Sequence, residues 1–504
     1  MVSNRKVAGT LHAWTRPTFS LLIPTFLAAA LLFACSSPAA TFQDVTEEVG
    51  LAGGLPNLSA AWGDYDNDGW PDLMTGGALW RNEGGRKFTR VEGFPANGAG
   101  GLWGDFDNDG FLDVYCWEQG KLFRNVEGKR FEDVSGKLPP RPMKVSRGAA
   151  WGDLDGDGRL DLYVGGYEIW EPSEDFPSVM LRNEQGNSFT EAWRTPGKLF
   201  RTRGVTMADF DEDGLLDIYA SNYRLQPNQL WHNDGGWKFH DVGIERGVAG
   251  TCVEGWYGHT IGSCWGDLDN DGHFDLFVGN FSHPAAYQDR PKFLRNLGPA
   301  GGWRFEDKSA GAGLRWQESY ASPALGDFDN DGFLDLFFTT VYAGDKSVLY
   351  HNNGDWTFKE VTAEAGVATA TTYQSAWADF DNDGRLDLVS GGRLFRNVGP
   401  ANHWLKVRLE GAGKVNRSAI GAQVRIRLGE RILTRQVEGA TGEGNQNDLT
   451  LHFGLGSRTE DVPVEVRWPD GTIQTFQARP DCMITLRPQG QPAPWPAATA
   501  PVAP

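Results

Sequence analysis

Four aspartates at fixed spacing are the residues in this chain best placed to do chemistry. The stretch Asp64-Tyr65-Asp66-Asn67-Asp68-Gly69-Trp70-Pro71-Asp72 reads D-x-D-x-D-G-x-x-D, and the pattern begins again at Asp105, Asp153, Asp209, Asp267, Asp327 and Asp379. Carboxylates at alternate positions of one tight turn repel each other unless a cation sits among them. The expected chemistry is therefore metal binding. The candidate ligands are Asp64, Asp66, Asp68 and Asp72 in the first loop, Asp105, Asp107, Asp109 and Asp113 in the second, and Asp153, Asp155, Asp157 and Asp161 in the third. Asp209, Asp211, Asp213 and Asp217 follow, then Asp267, Asp269, Asp271 and Asp275, then Asp327, Asp329, Asp331 and Asp335, and last Asp379, Asp381, Asp383 and Asp387. Several hard oxygens in an adaptable loop suit Ca²⁺ better than Mg²⁺, which keeps more of its water. Position 7 can add a backbone carbonyl, and the glycine at position 6 permits the reversal.

A helix-flanked EF-hand would close its loop with Glu at position 12. Here that position is Thr75, Cys116, Val164, Ala220, Val278, Phe338 or Ser390. Each loop instead runs into an apolar, β-prone segment such as Asp161-Leu162-Tyr163-Val164, so these are loops between strands. For one copy a solvated Asp/Asn/Gly turn would be an equal explanation. Seven intact copies argue against it.

The positioning elements repeat with the loops, whose first aspartates are 41, 48, 56, 58, 60 and 52 residues apart. Each unit holds four strand-like segments. In the third they are Gly148 to Trp151, Asp161 to Val164, Met180 to Asn183 and Phe189 to Ala192. No helical period is sustained, so the expected fold is all-β: a seven-bladed β-propeller over 41–399. Most units end in a strand like Phe131-Glu132-Asp133-Val134, but the seventh stops at Asn397. Phe42-Gln43-Asp44-Val45-Thr46 supplies the missing strand, and its insertion into the seventh blade would close the ring. Trp62, Trp103, Trp151, Trp265 and Trp377, with Met207 and Leu325 in equivalent places, stand two residues before a loop. They read as a packing layer between blades rather than a sugar-stacking ring.

The repeats resemble the FG-GAP/VCBS repeats of integrin α-subunit propellers and, more closely, those of bacterial and animal proteins related to cartilage acidic protein. In that family the D-x-D-x-D-G-x-x-D loops bind Ca²⁺. From 402 to 487 the segments His403 to Leu409, Asn416 to Ala422, Leu451 to Gly456 and Val466 to Gly471 are similar to the ASPIC/UnbV domain. Alternation punctuated by glycine suggests a small β-sandwich there. His452 and Asn445 are expected to be structural. The Pro/Ala-rich stretch 488–504 reads as disordered.

The formal charge of −19 is largely a property of the loops, which hold 28 of the 66 acidic residues. Seven divalent ions would bring it to about −5. Nucleic acid is not an expected partner. Residues 1–34, with Arg5, Lys6 and Arg16 before an apolar run, read as a secretory signal. Leu32-Phe33-Ala34-Cys35 resembles a bacterial lipobox, which would make Cys35 a lipidated membrane anchor, with 35–40 a linker and Ser36 favouring an outer membrane. Cys252 and Cys264 are expected to form a disulfide, and Cys116 and Cys482 to remain thiols.

The function expected is that of a monomeric, calcium-binding, cell-surface or secreted binding protein and not an enzyme. Its glycan or protein ligand is expected on the face opposite the aspartate loops, where Tyr167, Trp170, Trp256 and Tyr257 lie in long loops. The competing class is a polysaccharide lyase or hydrolase, but no unrepeated pair of acids stands out for it. The short reach from Cys35 to Phe42 would turn the aspartate face toward the membrane, with the C-terminal domain beside it.

Overall fold

Position 9 of each aspartate loop is the first residue of a strand. In the first unit Ala60–Gly63 leads into the loop and Asp72–Thr75 leads out of it, paired antiparallel with Gly63 opposite Asp72. The computed structural model of the chain describes residues 41–488, apart from 52–54, 97, 99, 283–288 and 401, together with the backbone of 493–494. Within these, seven four-stranded antiparallel sheets succeed one another. The third is Ala149–Gly152, Asp161–Val164, Val179–Glu184 and Ser188–Arg194, close to the segments expected. First strands touch in cyclic order, and the seventh, Ser375–Ala378, lies against both the sixth, Tyr320–Gly326, and the first. The sheets are thus blades of a ring, a propeller. Among the described residues no helix is long and apolar enough to cross a membrane.

The seventh blade is completed from the N-terminus. Phe42–Asp44 pairs antiparallel with Arg393–Asn397, with Phe42 opposite Asn397 and Asp44 opposite Phe395. Phe42 is buried against Phe328 and Trp377, its ring centroid 5.9 Å and 6.1 Å from theirs. The tryptophans before the loops are buried, as a packing layer requires. Three of their indole N–H groups reach the preceding blade: Trp103 donates to the Ala61 carbonyl at 3.3 Å, Trp151 to that of Leu102 at 3.2 Å and Trp377 to that of Ala324 at 3.4 Å. A Cβ on Gly63 would stand 2.9 Å from the Trp103 ring, which explains a glycine just before the loop.

The C-terminal domain is two four-stranded sheets. One orders Leu451–Gly456, His403–Leu409, Cys482–Leu486 and Ala493–Pro494, and the other Arg431–Gln436, Gln423–Leu428, Val462–Arg467 and Ile473–Ala478. Leu405, Val407, Val424, Ile426, Val464 and Leu486 form its interior, and that core runs on into Trp151, Leu160 and Met207 of the propeller. The domain does not lie beside the aspartate face, as the sequence suggested. It sits on it, and its segment 436–448 threads the central channel. Gln446 donates its backbone N–H to the Ala60 carbonyl and accepts from Trp62, Gly442 donates to Ser263, and Asp448 to Trp377. Gln446 Oε1 accepts from Trp103 N–H, and Gln436 Nε2 donates to the Met207 carbonyl. These are innermost-strand edges that would otherwise face an open hole.

The disulfide expected between Cys252 and Cys264 is not formed. Cys264 lies in the innermost strand His259–Gly266, its side chain packed among Phe277, Leu325 and Phe338 between blades. Cys252 is exposed in the preceding loop, beside Tyr257. A strand residue committed to the core cannot reach a loop on the rim. Cys116 is a buried thiol, and Cys482, half-buried, donates to the Arg479 carbonyl.

Phe42→Ala should lower stability by about 3–5 kcal/mol, because it empties a core position and loosens the closing strand. Deleting 41–49 should give an aggregating chain with an open blade edge. Denaturant unfolding and light scattering test both, and wild-type behaviour of either variant refutes the closure.

Candidate metal centres and the opposite face

The seven loops share one geometry. The position-1 carboxylate accepts backbone N–H bonds from positions 5 and 6, as Asp64 does from Asp68 at 3.0 Å and Gly69 at 3.1 Å. The position-9 carboxylate accepts from position 2 and from an asparagine in the blade's third strand, as Asp113 does from Phe106 at 3.1 Å and Asn125 at 2.7 Å. Position 6 has φ near +90° in each copy, from 87° at Gly158 to 100° at Gly272, where only glycine is at ease. The oxygens converge: Asp64, Asp66 and Asp72 each bring one within 4.8 Å of the others, as do Asp105, Asp107 and Asp113.

Position 3 marks where an ion fits. One oxygen faces a basic side chain from the third strand, as in Arg81 Nε to Asp66 at 2.6 Å, Arg124 Nε to Asp107 at 2.6 Å and Arg182 Nε to Asp155 at 2.9 Å. The other, Oδ1 of Asp66, Asp107, Asp155, Asp211, Asp269 and Asp381, is buried and accepts no hydrogen bond from the described residues. A buried carboxylate oxygen without a partner is costly. In six loops this oxygen is left without a donor, and in the first two it converges with the position-1 and position-9 carboxylates, an oxygen set that suits a hard divalent cation. Burial pushes Asp105, Asp153 and Asp209 up to about 7 against their backbone donors, and neighbouring aspartates add to the rise. Burial likewise raises Asp72, Asp113 and Asp387. The fit of the residues to Ca²⁺ is good.

Two further rings of contacts join the loops. The asparagine at position 4 donates to the position-6 carbonyl of the next loop: Asn67 to Gly110, Asn108 to Gly158, Asn270 to Gly332, Asn330 to Gly384, and Asn382 back to Gly69. The asparagine ending the third strand braces the loop of the blade before it. Asn125 Nδ2 donates to the Leu112 and Tyr65 carbonyls, and Asn82 Nδ2 to those of Pro71 and Phe380. The same bonds recur at Asn183, Asn233, Asn296, Asn352 and Asn397. Sequence reasoning passed over these asparagines, though an Arg-Asn or His-Asn pair recurs at one place in every repeat.

The C-terminal domain adds cations from above. Lys406 Nζ lies 2.9 Å from Asp379 Oδ2 and Arg408 Nη1 2.7 Å from Asp64 Oδ2. Arg425 and Arg467 meet Glu212, which replaces the position-4 asparagine in the fourth loop, at 3.1 Å and 2.9 Å. His452 is buried and donates its Nε2–H to the Gly384 carbonyl, 3.0 Å away, and burial holds its pKa down to about 4. Asn445 bonds Ala60 N–H and the Tyr373 carbonyl inside the channel. Both roles are structural.

The FG-GAP-like repeat family matches residues 105–164, 209–278, 267–338 and 327–390, and the ASPIC and UnbV family matches 412–491. The chain belongs to the FG-GAP repeat proteins that carry an ASPIC and UnbV domain. Over 305 residues it is 29% identical to cartilage acidic protein 1 of Mus musculus and 28% identical to that of Homo sapiens, covering 54% of this chain in each case. It spans about two fifths of those relatives, 42% and 41% of their lengths. A solved Agrocybe aegerita lectin that recognises non-reducing terminal N-acetylglucosamine aligns over 61% of this chain and 81% of its own, with 17% identity and a TM-score of 0.36.

In this FG-GAP repeat protein the opposite face is built by the loops after the second and fourth strands. Trp170 is 63% exposed there and stacked under the Arg224 guanidinium at 3.8 Å, and Trp256 is 52% exposed. Tyr257 is half-buried. Tyr167 is buried, not presented to solvent: with Tyr223 and Tyr373 it surrounds Arg203. Arg203 in turn grips Glu443 at the tip of the channel segment, 2.6 Å from Nη2. Burial disfavours the Arg203 charge, but the adjoining carboxylate outweighs it and its pKa rises. Cys35 lies outside the described residues.

Asn125→Ala would strip partners from buried carbonyls of two blades and should cost about 3 kcal/mol. Glu443→Gln, which leaves Arg203 buried and unpaired, should cost about 3–5 kcal/mol. Chemical denaturation in saturating Ca²⁺ measures both, and losses under about 0.5 kcal/mol refute these roles.

Proposed function

We propose that this is a calcium-stabilised extracellular binding protein whose ligand, a glycan or a protein, docks on the face opposite the aspartate loops. One observation carries the choice of face. The four exposed aromatic side chains among the described residues, Trp170, Trp256, Trp316 and Tyr342, all lie in loops of that face, while the aspartate face is covered by the C-terminal domain. Rigidly held aromatic rings give contact area at small entropic cost. The channel is filled by segment 436–448, so recognition uses a surface rather than a pore. The orphaned position-3 oxygens support calcium, with Asp64 and its counterparts as ligands.

The polysaccharide-active enzyme has less support. Three acids at that mouth are committed to arginines: Glu168 to Arg201 and Arg224, Asp175 to Arg201, and Glu443 to Arg203. The protein is placed in the cell envelope through lipid at Cys35, or secreted, and acts as a monomer without nucleic acid.

Removing Ca²⁺ with EDTA should lower the melting temperature sharply, since an ion that binds only the native state adds RT ln(1 + [L]/Kd) at each loop. Millimolar Ca²⁺ should restore it. Identical melts would refute bound calcium. For the ligand, a glycan array and a pull-down from the native cell surface, both in Ca²⁺, provide the binding partner. Trp170→Ala and Trp256→Ala should then weaken binding by about tenfold each while leaving the melt unchanged. Unaltered affinity in both variants would exclude this face.

A further inference from the structure

In five blades the side chain that the third strand lays on its own loop is an arginine: Arg81, Arg124, Arg182, Arg295 or Arg396. Blade 6 uses His351, with Nδ1 turned to Asp329 and Asp335. Blade 4 uses His232 the other way round. Its Nε2 lies 3.0 Å from Asp211 Oδ2, so Nδ1 is directed away from the loop. There Nδ1 meets Asp234 Oδ1 at 3.2 Å, and Asp234 Oδ2 lies 2.6 Å from His240 Nδ1.

The hairpin makes this convergence. His232 and His240 are directly opposed in the antiparallel register of Gln229–Asn233 and Phe239–Asp241, and Asp234 follows two residues after His232. The ring centroids are 5.2 Å apart, and the three donor atoms all lie within 4.8 Å of one another. At the position opposite, the other blades carry Thr89, Glu132, Thr190, Glu306, Lys359 and Gln43, so a second imidazole occurs in blade 4 alone among these seven hairpins.

We propose that His232, Asp234 and His240 form a binding site for a borderline divalent transition metal, with Zn²⁺ the expected ion. Two imidazoles and a carboxylate suit such an ion and not Ca²⁺, which takes oxygen ligands. The Asp211 carboxylate accepts the His232 Nε2–H and so fixes the tautomer whose Nδ1 lone pair faces the site, the outer-shell arrangement usual for a metal-binding histidine. Ligand atoms about 2.0–2.1 Å from a tetrahedral ion stand about 3.3 Å apart. The two histidines now meet different oxygens of Asp234, at 3.2 Å and 2.6 Å, so the carboxylate has to turn to set one oxygen at that spacing from both nitrogens. His240 is 56% exposed and Asp234 43%, so both can adjust and an ion can enter with water as the remaining ligand.

The test is calorimetric titration of the full chain with Zn²⁺ in saturating Ca²⁺, alongside Co²⁺ absorption to report a tetrahedral site. One Zn²⁺ that Ca²⁺ does not displace is expected. His240→Ala should weaken it by about tenfold or more. His232→Arg installs the residue of five sister blades, should keep the contact to Asp211, and should abolish Zn²⁺ binding. Equal Zn²⁺ affinity in wild type and His240→Ala, or Zn²⁺ binding that Ca²⁺ fully displaces, would overturn the proposal.

Discussion

Crowding of carboxylates on one rim of the ring is the constraint on which the rest of this structure depends. Four aspartates per loop are brought within a few ångströms, several of them buried, and like charges so placed cannot all be ionised without compensation. Three kinds of compensation are built in. Backbone N–H groups serve positions 1 and 9, basic side chains of the third strand serve positions 3 and 5, and the C-terminal domain brings Lys406 and Arg408 from above. What they leave over is one buried oxygen per loop in six loops. The same crowding explains why the domain that covers this rim meets it with Lys406, Arg408, Arg425 and Arg467: a surface so acidic selects a cationic cover.

A second constraint is the inner edge of each blade. A ring of sheets presents its first strands edge-on to the channel, with N–H and C=O groups that neither the blade nor its neighbour can satisfy. Water could serve them in an open hole. Here the segment after Gln436 serves them instead, at blades 1, 2, 5 and 7 by backbone or side-chain bonds from Gln446, Gly442, Asn447 and Asp448. Because it reaches the far mouth, where Glu443 meets Arg203, one domain is anchored at both ends of the channel.

The parts legible in the sequence are those whose cause is local. The aspartate spacing, the glycine at position 6 and the strand beginning at position 9 all follow from one nine-residue turn, and seven copies with a displaced Phe42 strand imply the ring. The brace from Asn125 and its counterparts was visible as a repeat but not as a role, since its acceptor lies in the previous blade about 60 residues back. The channel segment was not visible at all. Glu438 to Gln446 is rich in Gly and polar residues and reads as a surface loop, and only the ring's unpaired edges give it partners. The disulfide expectation failed for the same reason in reverse: closeness of Cys252 and Cys264 in sequence said nothing of strand direction, which sends Cys264 inward.

The seam between blades 7 and 1 shows how these constraints meet. No continuous stretch of repeat crosses it, so it is where a ring of blades should open first. It is crossed here by the Phe42 strand, by Asn82 to the Phe380 carbonyl and by Asn382 to that of Gly69. The C-terminal domain adds a fourth tie. Lys406 and Arg408 stand two apart on one strand, so they point to one side of its sheet. Lys406 takes Asp379 and Asn382 of the last loop, while Arg408 takes Asp64 and Asn67 of the first. A pair of cations spaced by one strand repeat therefore spans the first and last loops and reinforces the bond from Asn382 to the Gly69 carbonyl. Each is also a counter-charge for a position-1 aspartate, so the charge that holds the cover down is the charge that holds the ring shut.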